Sequence, residues 1–161
     1  MGALINASSL SELTRQVRAQ LNCAGAMITR IDPTQQHILS VSGLARPEHF
    51  GSPVPLSHSI CQHTAAMDFP LVIDDTVLHP LMHNNLAFQE YGITAYLGAP
   101  VHDEDGNAVG AICGFEYRQR RWSFQDLDFI SYAGTVADGL LRQGATPIVL
   151  AAEFTNRATV D

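Results

Sequence analysis

The chain contains no lysine; all nine of its basic residues are arginine. That absence excludes a Schiff-base lysine, a phosphate-loop lysine and a lysine general base. Positive charge is scarce altogether, with 9 basic against 16 acidic residues and a net charge of -7. Phosphate backbones demand clustered cations, so no nucleic-acid partner is expected. Cysteine is limited to Cys23, Cys61 and Cys113, too few for a disulfide framework. The opening residues do not read as a signal peptide, and the expected location is the reducing cytoplasm. No apolar run approaches the roughly 20 residues of a membrane span, so no membrane partner is expected either. A Ser-His-Asp order, a nucleophile elbow and a Gly-rich phosphate loop are all missing, which argues against the corresponding enzymes. Charged residues reach only 16% while hydrophobic ones reach 46%, ample for the core of one domain in 161 residues.

Hydrophobic spacing then orders the chain. Residues 9–22 read as an amphipathic helix, with Ser9 and Glu12 in a capping-box pattern and Leu10, Leu13, Val17 and Leu21 on one stripe. Strands at Ala24–Ile31 and His37–Gly43 flank an Asp32-Pro33 turn and form a hairpin. Leu44–Leu56 carries Pro47, Gly51, Pro53 and Pro55 and reads as a loop long enough to bind something. A helix over Ser57–Met67, a strand over Phe69–Ile73 and broken helical turns over 76–92 follow. Ile93–His102 and Ala108–Tyr117 are strands joined by a turn at Asp103–Asn107, apolar or small on both faces. Ser123 with Asp126 caps a helix running to about residue 142. Gly134 and Gly139 inside it reflect either close approach to a neighbour or simple tolerance. The expected fold is α+β, a single domain over 1–143 with 144–161 as a tail or linker, including an extended piece at Ile148–Ala151.

Several pieces in this order resemble the GAF domain family of sensory modules. They are Ser59-Ile60-Cys61, Pro70-Leu71-Val72-Ile73-Asp74-Asp75 and His79-Pro80, then Gly92-Ile93 and Tyr96-Leu97-Gly98-Ala99-Pro100-Val101. Asp105-Gly106-Asn107-Ala108-Val109-Gly110-Ala111-Ile112-Cys113 completes the series, and the resemblance covers roughly residues 8–142. It implies a six-stranded antiparallel sheet with the terminal helices on one face and a loop-and-short-helix pocket on the other. It further implies a regulatory sensor that binds a small molecule and pairs as a homodimer through helices 9–22 and 123–142. Coupling to a kinase, cyclase or other signalling output, as in two-component systems, would follow. The ligand, and with it any cofactor, stays unknown, since family members bind cyclic nucleotides, bilins, haem or small anions. The cyclic-nucleotide pattern needs a lysine, and the bilin pattern sets Cys beside His, whereas Gln62 separates Cys61 from His63.

The candidate ligand-binding residues are Ser57, His58, Cys61, Asp75, His79, Met82, Phe88, Tyr96 and Phe115. Met82, Phe88, Tyr96 and Phe115 would supply apolar walls, and Ser57, His58, Asp75 and His79 a polar rim. Two other chemistries stay open. Cys61 and Cys113 could serve a thiol redox sensor or a methionine-sulfoxide-reductase-like enzyme, or could be buried packing residues. The histidines between His58 and His83 could ligate metal or haem, or be ordinary hydrogen-bonding side chains. Adjacent Asp74 and Asp75 point opposite ways, and one of them is expected to cap the following turns. Arg118, Arg120 and Arg121 read as plain surface charge.

Overall fold

The computed structural model describes residues 4–43 and 53–144. In chain order these form α1 (Leu10–Leu21), β1 (Gly25–Ile31), β2 (Gln35–Ser42), β3 (Val54–Pro55), α2 (Cys61–Met67) and β4 (Leu71–Ile73). Then come α3 (Ala87–Tyr91), β5 (Ala95–His102), β6 (Ala108–Glu116) and α4 (Phe124–Arg142), with single 3-10 turns at Leu56–His58 and Pro80–Met82. The strands make one six-stranded sheet in the order β3-β2-β1-β6-β5-β4. Every pairing is antiparallel. The expected α+β architecture is the one the chain adopts.

Alternation along the inner strands sends apolar side chains to both faces of the sheet. Ala26, Ile28, Leu97, Ala99, Val101 and Ile112 meet α1 and α4 on one side. Met27, Tyr96, Ala111, Cys113 and Phe115 meet α2 and the segments around Met82 and Ala87 on the other. Both faces are therefore core.

The helix facing β1 and β2 buries the predicted stripe of Leu10, Leu13, Val17 and Leu21. Its Ser9 hydroxyl accepts from the Glu12 amide at 3.1 Å, but the Glu12 carboxylate takes the Ser8 hydroxyl instead of closing a capping box. At α4 both halves of the box form between Ser123 and Asp126, each at 3.0 Å. Gly134 is a case of close approach, because a methyl there would stand 3.1 Å from the Pro100 carbonyl oxygen of β5. Gly139 has open space around it and is tolerated.

Boundaries differ from expectation where a side chain competes with the backbone. The Ser57–Met67 helix breaks in two, because Ser59 is extended (φ -101, ψ 122) with its hydroxyl accepting from Gln62 and donating to Gln36. His58 and Cys61 therefore do not share a helix face. Val54–Pro55, expected as loop, pairs with Gln35 and Gln36 as an edge strand. Asp68 in the left-handed region (φ 51) ends α2 and, with Pro70 after it, delays β4 to Leu71. Residues 44–52 of the expected loop and the Ile148–Ala151 piece lie outside the described residues.

Ile112 is fully buried between β1 and β5 under both terminal helices. Ile112→Ala should cost about 3 kcal/mol, read as a lower urea midpoint at unchanged m-value.

Candidate functional site

The face carrying α2 and α3 is built around a buried phenol. Tyr96 of β5 is 1% exposed, and its ring lies over Gly98, where a Cβ would come within 2.3 Å of the Tyr96 hydroxyl oxygen. The hydroxyl is 2.9 Å from Thr64 Oγ1 and donates to Cys61 Sγ at 3.3 Å, so α2 supplies both partners. Burial, and after it the Cys61 sulfur, push the Tyr96 phenol well above its ordinary value. Phe115 fills the neighbouring ground in the same manner, its ring over Gly25 and edge-on to Tyr117 at 5.9 Å.

What space remains is small. A cleft bounded by Met27, Gln36, Val54, Ile60, Ile93 and Tyr96, with His58 and Tyr91 at its mouth, holds about 10 Å³. That is room for about one water molecule. Its cover is tied down by Ser59 and its neighbours: Asn85 Nδ2 donates to the Ser59 carbonyl at 2.7 Å, and Leu86 N to the Ser57 carbonyl at 2.8 Å. Gln62 Nε2 also donates to the carbonyls of Ser59 and Leu56.

The sequence-selected residues divide between this interior and the surface. Cys61, Tyr96 and Phe115 belong to the interior, and His58, half-buried at the cleft mouth, stacks at a tilt on Tyr91 at 5.1 Å. Ser57 is exposed and bonds the His58 ring nitrogen at 2.8 Å. Asp75 accepts from Val77 N at 3.0 Å and from Gln119, capping a turn as expected of one of the aspartates. His79 caps the Pro80–Met82 turn by accepting from Leu81 N. Met82 is buried, Phe88 is 41% exposed, and both line a separate outer groove beside Thr76 and Asn85. Gln36 and Tyr91 line the cleft but carry no sequence motif that singles them out, while Ile60 and Ile93 line it from within the Ser59-Ile60-Cys61 and Gly92-Ile93 pieces.

Cys61 and Cys113 lie 3.9 Å apart, sulfur to sulfur, and both are fully buried. Burial, reinforced by the Cys61 sulfur, holds the Cys113 thiol well above its ordinary range. Cys23 is pushed up to about 11 by burial and then by the Glu116 carboxylate. The histidines do not assemble: among the described residues no three His, Cys, Asp or Glu side chains are placed to hold a metal ion. The alternative of a metal site shared between His58 and His83 thus finds no ligand cluster, because Ser59 and Pro80 break the helical run that would have aligned the histidines.

Two polar links missed by sequence reasoning run around the ends of the sheet. At one end His102 Nδ1 meets Asp138 of α4 at 2.9 Å and Nε2 meets Asp68, the cap of α2, at 2.6 Å. The His102 amide adds a third bond to Asp138 at 2.7 Å. At the other end Arg120, expected as surface charge, donates to the Asn22 carbonyl at 3.1 Å and to Glu116 at 3.0 Å, and reaches Asp126 at 3.5 Å. Its guanidinium covers the Trp122 ring at 4.2 Å. Arg118 and Arg121 are exposed, as expected.

The bond to Asp138, then that to Asp68, raise the His102 pKa above the ordinary 6.5 against the opposing effect of burial. A raised folded-state pKa stabilises the fold fully below pH 6.5, and that contribution disappears as pH rises through the shifted value. An NMR titration should place the His102 ring above 6.5, and Asp138→Asn should bring it down.

Comparison with known proteins accords with this geometry. The GAF domain profile matches residues 7–137. The diguanylate cyclase DgcP of Escherichia coli (strain K12) is 26% identical over 151 residues, covering 88% of this chain and 43% of that protein. The chain thus spans less than half the length of this curated relative. Among solved structures, the GAF domain of an Acinetobacter phosphoenolpyruvate-protein phosphotransferase superposes with a TM-score of 0.66 at 13% identity, over 83% of this chain and 80% of that one. Free methionine-R-sulfoxide reductase from Neisseria meningitidis, solved with its substrate, gives 0.66 at 11% identity, over 83% and 75%. At such identities these structures speak for the fold alone. With the profile matching most of its length and the sheet built as described, the chain belongs to the GAF domain family.

Proposed function

We propose that this domain is the sensing part of a signalling protein and has no catalytic role of its own. A small molecule enters the face covered by α2 and α3, and its occupancy is passed to α1 and α4. The observation that carries the reading is the His102 link, which ties the end of α2 to the middle of α4. A guest large enough to matter must displace side chains from the 10 Å³ cleft. Binding therefore selects an opened arrangement, and any movement of α2 is felt by Asp68 and, through His102, by Asp138. The cover favours opening, being made of a five-residue helix and two single 3-10 turns.

In this reading α1 and α4 pair across a two-fold homodimer; Phe124 is 85% and Tyr132 39% exposed on α4. The output is a kinase or cyclase, as in two-component and related systems, with residues 144–161 as the linker or tail beyond the domain. The diguanylate cyclase relative supports this choice of output class. The working location is the cytoplasm. No described helix is long and apolar enough to cross a membrane.

A thermal-shift panel of cyclic GMP, biliverdin, haemin and nitrate, with light scattering for mass, tests the proposal. A true ligand at 100 times its Kd raises stability by about 2.7 kcal/mol. One positive ligand and a dimeric mass are expected; a monomer that none of the four stabilises would sink the reading.

The 3.9 Å separation of Cys61 and Cys113 favours a second reading, a buried dithiol sensor. Hydrogen peroxide would take two electrons and two protons from the thiols, forming one S–S bond and two waters. The sulfurs must close to about 2.05 Å. Peroxide should then remove two titratable thiols from the native chain but not from Cys61→Ser; an unchanged thiol count discards this alternative.

A further inference from the structure

A larger cavity lies away from the face just described. It measures about 370 Å³ and opens beneath the last turn of α4, against the ends of β1, β2 and β5. Small-ligand sites begin at about 300 Å³. The cavity is therefore of ligand size where the α2 face is not. Part of its wall is apolar: Leu39 and Val101 belong to the core under the terminal helices, and Leu141 packs against the same core.

Charges of both signs stand around these walls. Arg30 on β1 and Arg142 at the end of α4 line the cavity. A guanidinium presents N–H donors in a fork that matches a carboxylate. Across the opening is the hairpin between β5 and β6. There Asp103 is engaged by the amides of Asp105 and Asn107, at 2.9 and 3.0 Å. Glu104 and Asp105 line the same cavity, are exposed, and have no side-chain hydrogen bond or ion pair among the described residues.

We propose that this cavity is a second ligand site, for a small zwitterion with an apolar body. The ligand's carboxylate meets Arg30, its aliphatic part lies on Leu39, Val101 and Leu141, and its ammonium faces Glu104 and Asp105. An α-amino acid with an aliphatic side chain is the smallest molecule of this description. A simple fatty acid leaves the acidic hairpin unanswered, and an alkylamine leaves Arg30 unanswered. Because Leu141 belongs to α4 and His102 lines the same space, a guest there bears directly on the helix that Asp138 anchors. The site goes beyond the α2-face reading and does not depend on it.

Isothermal titration calorimetry with L-leucine, 4-methylpentanoate and 3-methylbutylamine tests the assignment, since the three share one hydrocarbon body. Leucine should bind the full chain at least about tenfold more tightly than either fragment, the difference expected of one charged hydrogen bond. Arg30→Met should erase the advantage of leucine over the amine, and Leu141→Trp should abolish binding. Tyr96→Phe, in the other face, should leave leucine binding unchanged. Circular dichroism verifies that each variant is folded. Absence of leucine binding, equal binding of 4-methylpentanoate, or loss of leucine binding in folded Tyr96→Phe with none in Arg30→Met overturns the proposal.

Discussion

A sheet with core on both faces separates the two halves of this domain physically. Ile28, Leu97 and Ile112 face one way and Met27, Tyr96 and Cys113 the other, so among the described residues the middle of the sheet is packed with apolar side chains on both sides. Whatever couples the α2 side to the terminal helices must go around the ends of the strands. The two ends are closed by different chemistry. At the β5 end an imidazole sits between two carboxylates from helices on opposite faces. At the β6 end the Arg120 guanidinium gathers the end of α1, the end of β6 and the start of α4. The first link loses its charge once the imidazole, whose pKa the two carboxylates raise, deprotonates, whereas an arginine keeps its charge at any ordinary pH.

The α2 face is closed in this state by its own aromatic residues. Two glycines accept the rings of Tyr96 and Phe115, and the tyrosine hydroxyl finds its partners on α2 instead of in solvent. A satisfied buried hydroxyl costs little, while one stripped of partners costs far more. Opening this face therefore requires a guest that replaces the contacts of Thr64 and Cys61 as well as filling space. The opposite cavity makes no such demand, as its walls already stand apart.

Elements with strong periodicity could be read directly from the residues. The Leu10-Leu13-Val17-Leu21 stripe, the Ser123-Asp126 box and the hairpin around Asp103–Asn107 stand where the pattern put them. The helix break at Ser59 was not legible, because it depends on a partner distant in sequence. Nor was the late start of β4, which follows a left-handed residue other than glycine, whereas the end of α2 at Met67 stands where the pattern put it. The site was half legible. Tyr96 and Phe115 are apolar residues at inward strand positions, a local property, and both are interior. His79, Asp75 and Phe88 have suitable chemistry, but the irregular segment that carries them turns them outward, and no periodicity governs such a segment. The roles of Arg120 and His102 rest on contacts 98 and 36 residues away, which no local window contains.

All three cysteine thiols are buried, and lysine amines are absent altogether. A single cysteine introduced on the outer side of α4 would thus be the most accessible thiol on the described surface. Spin labels or fluorophores attached there would carry little background from the native side chains. Distances between two copies of the terminal helix could then be measured in solution on an otherwise unaltered chain.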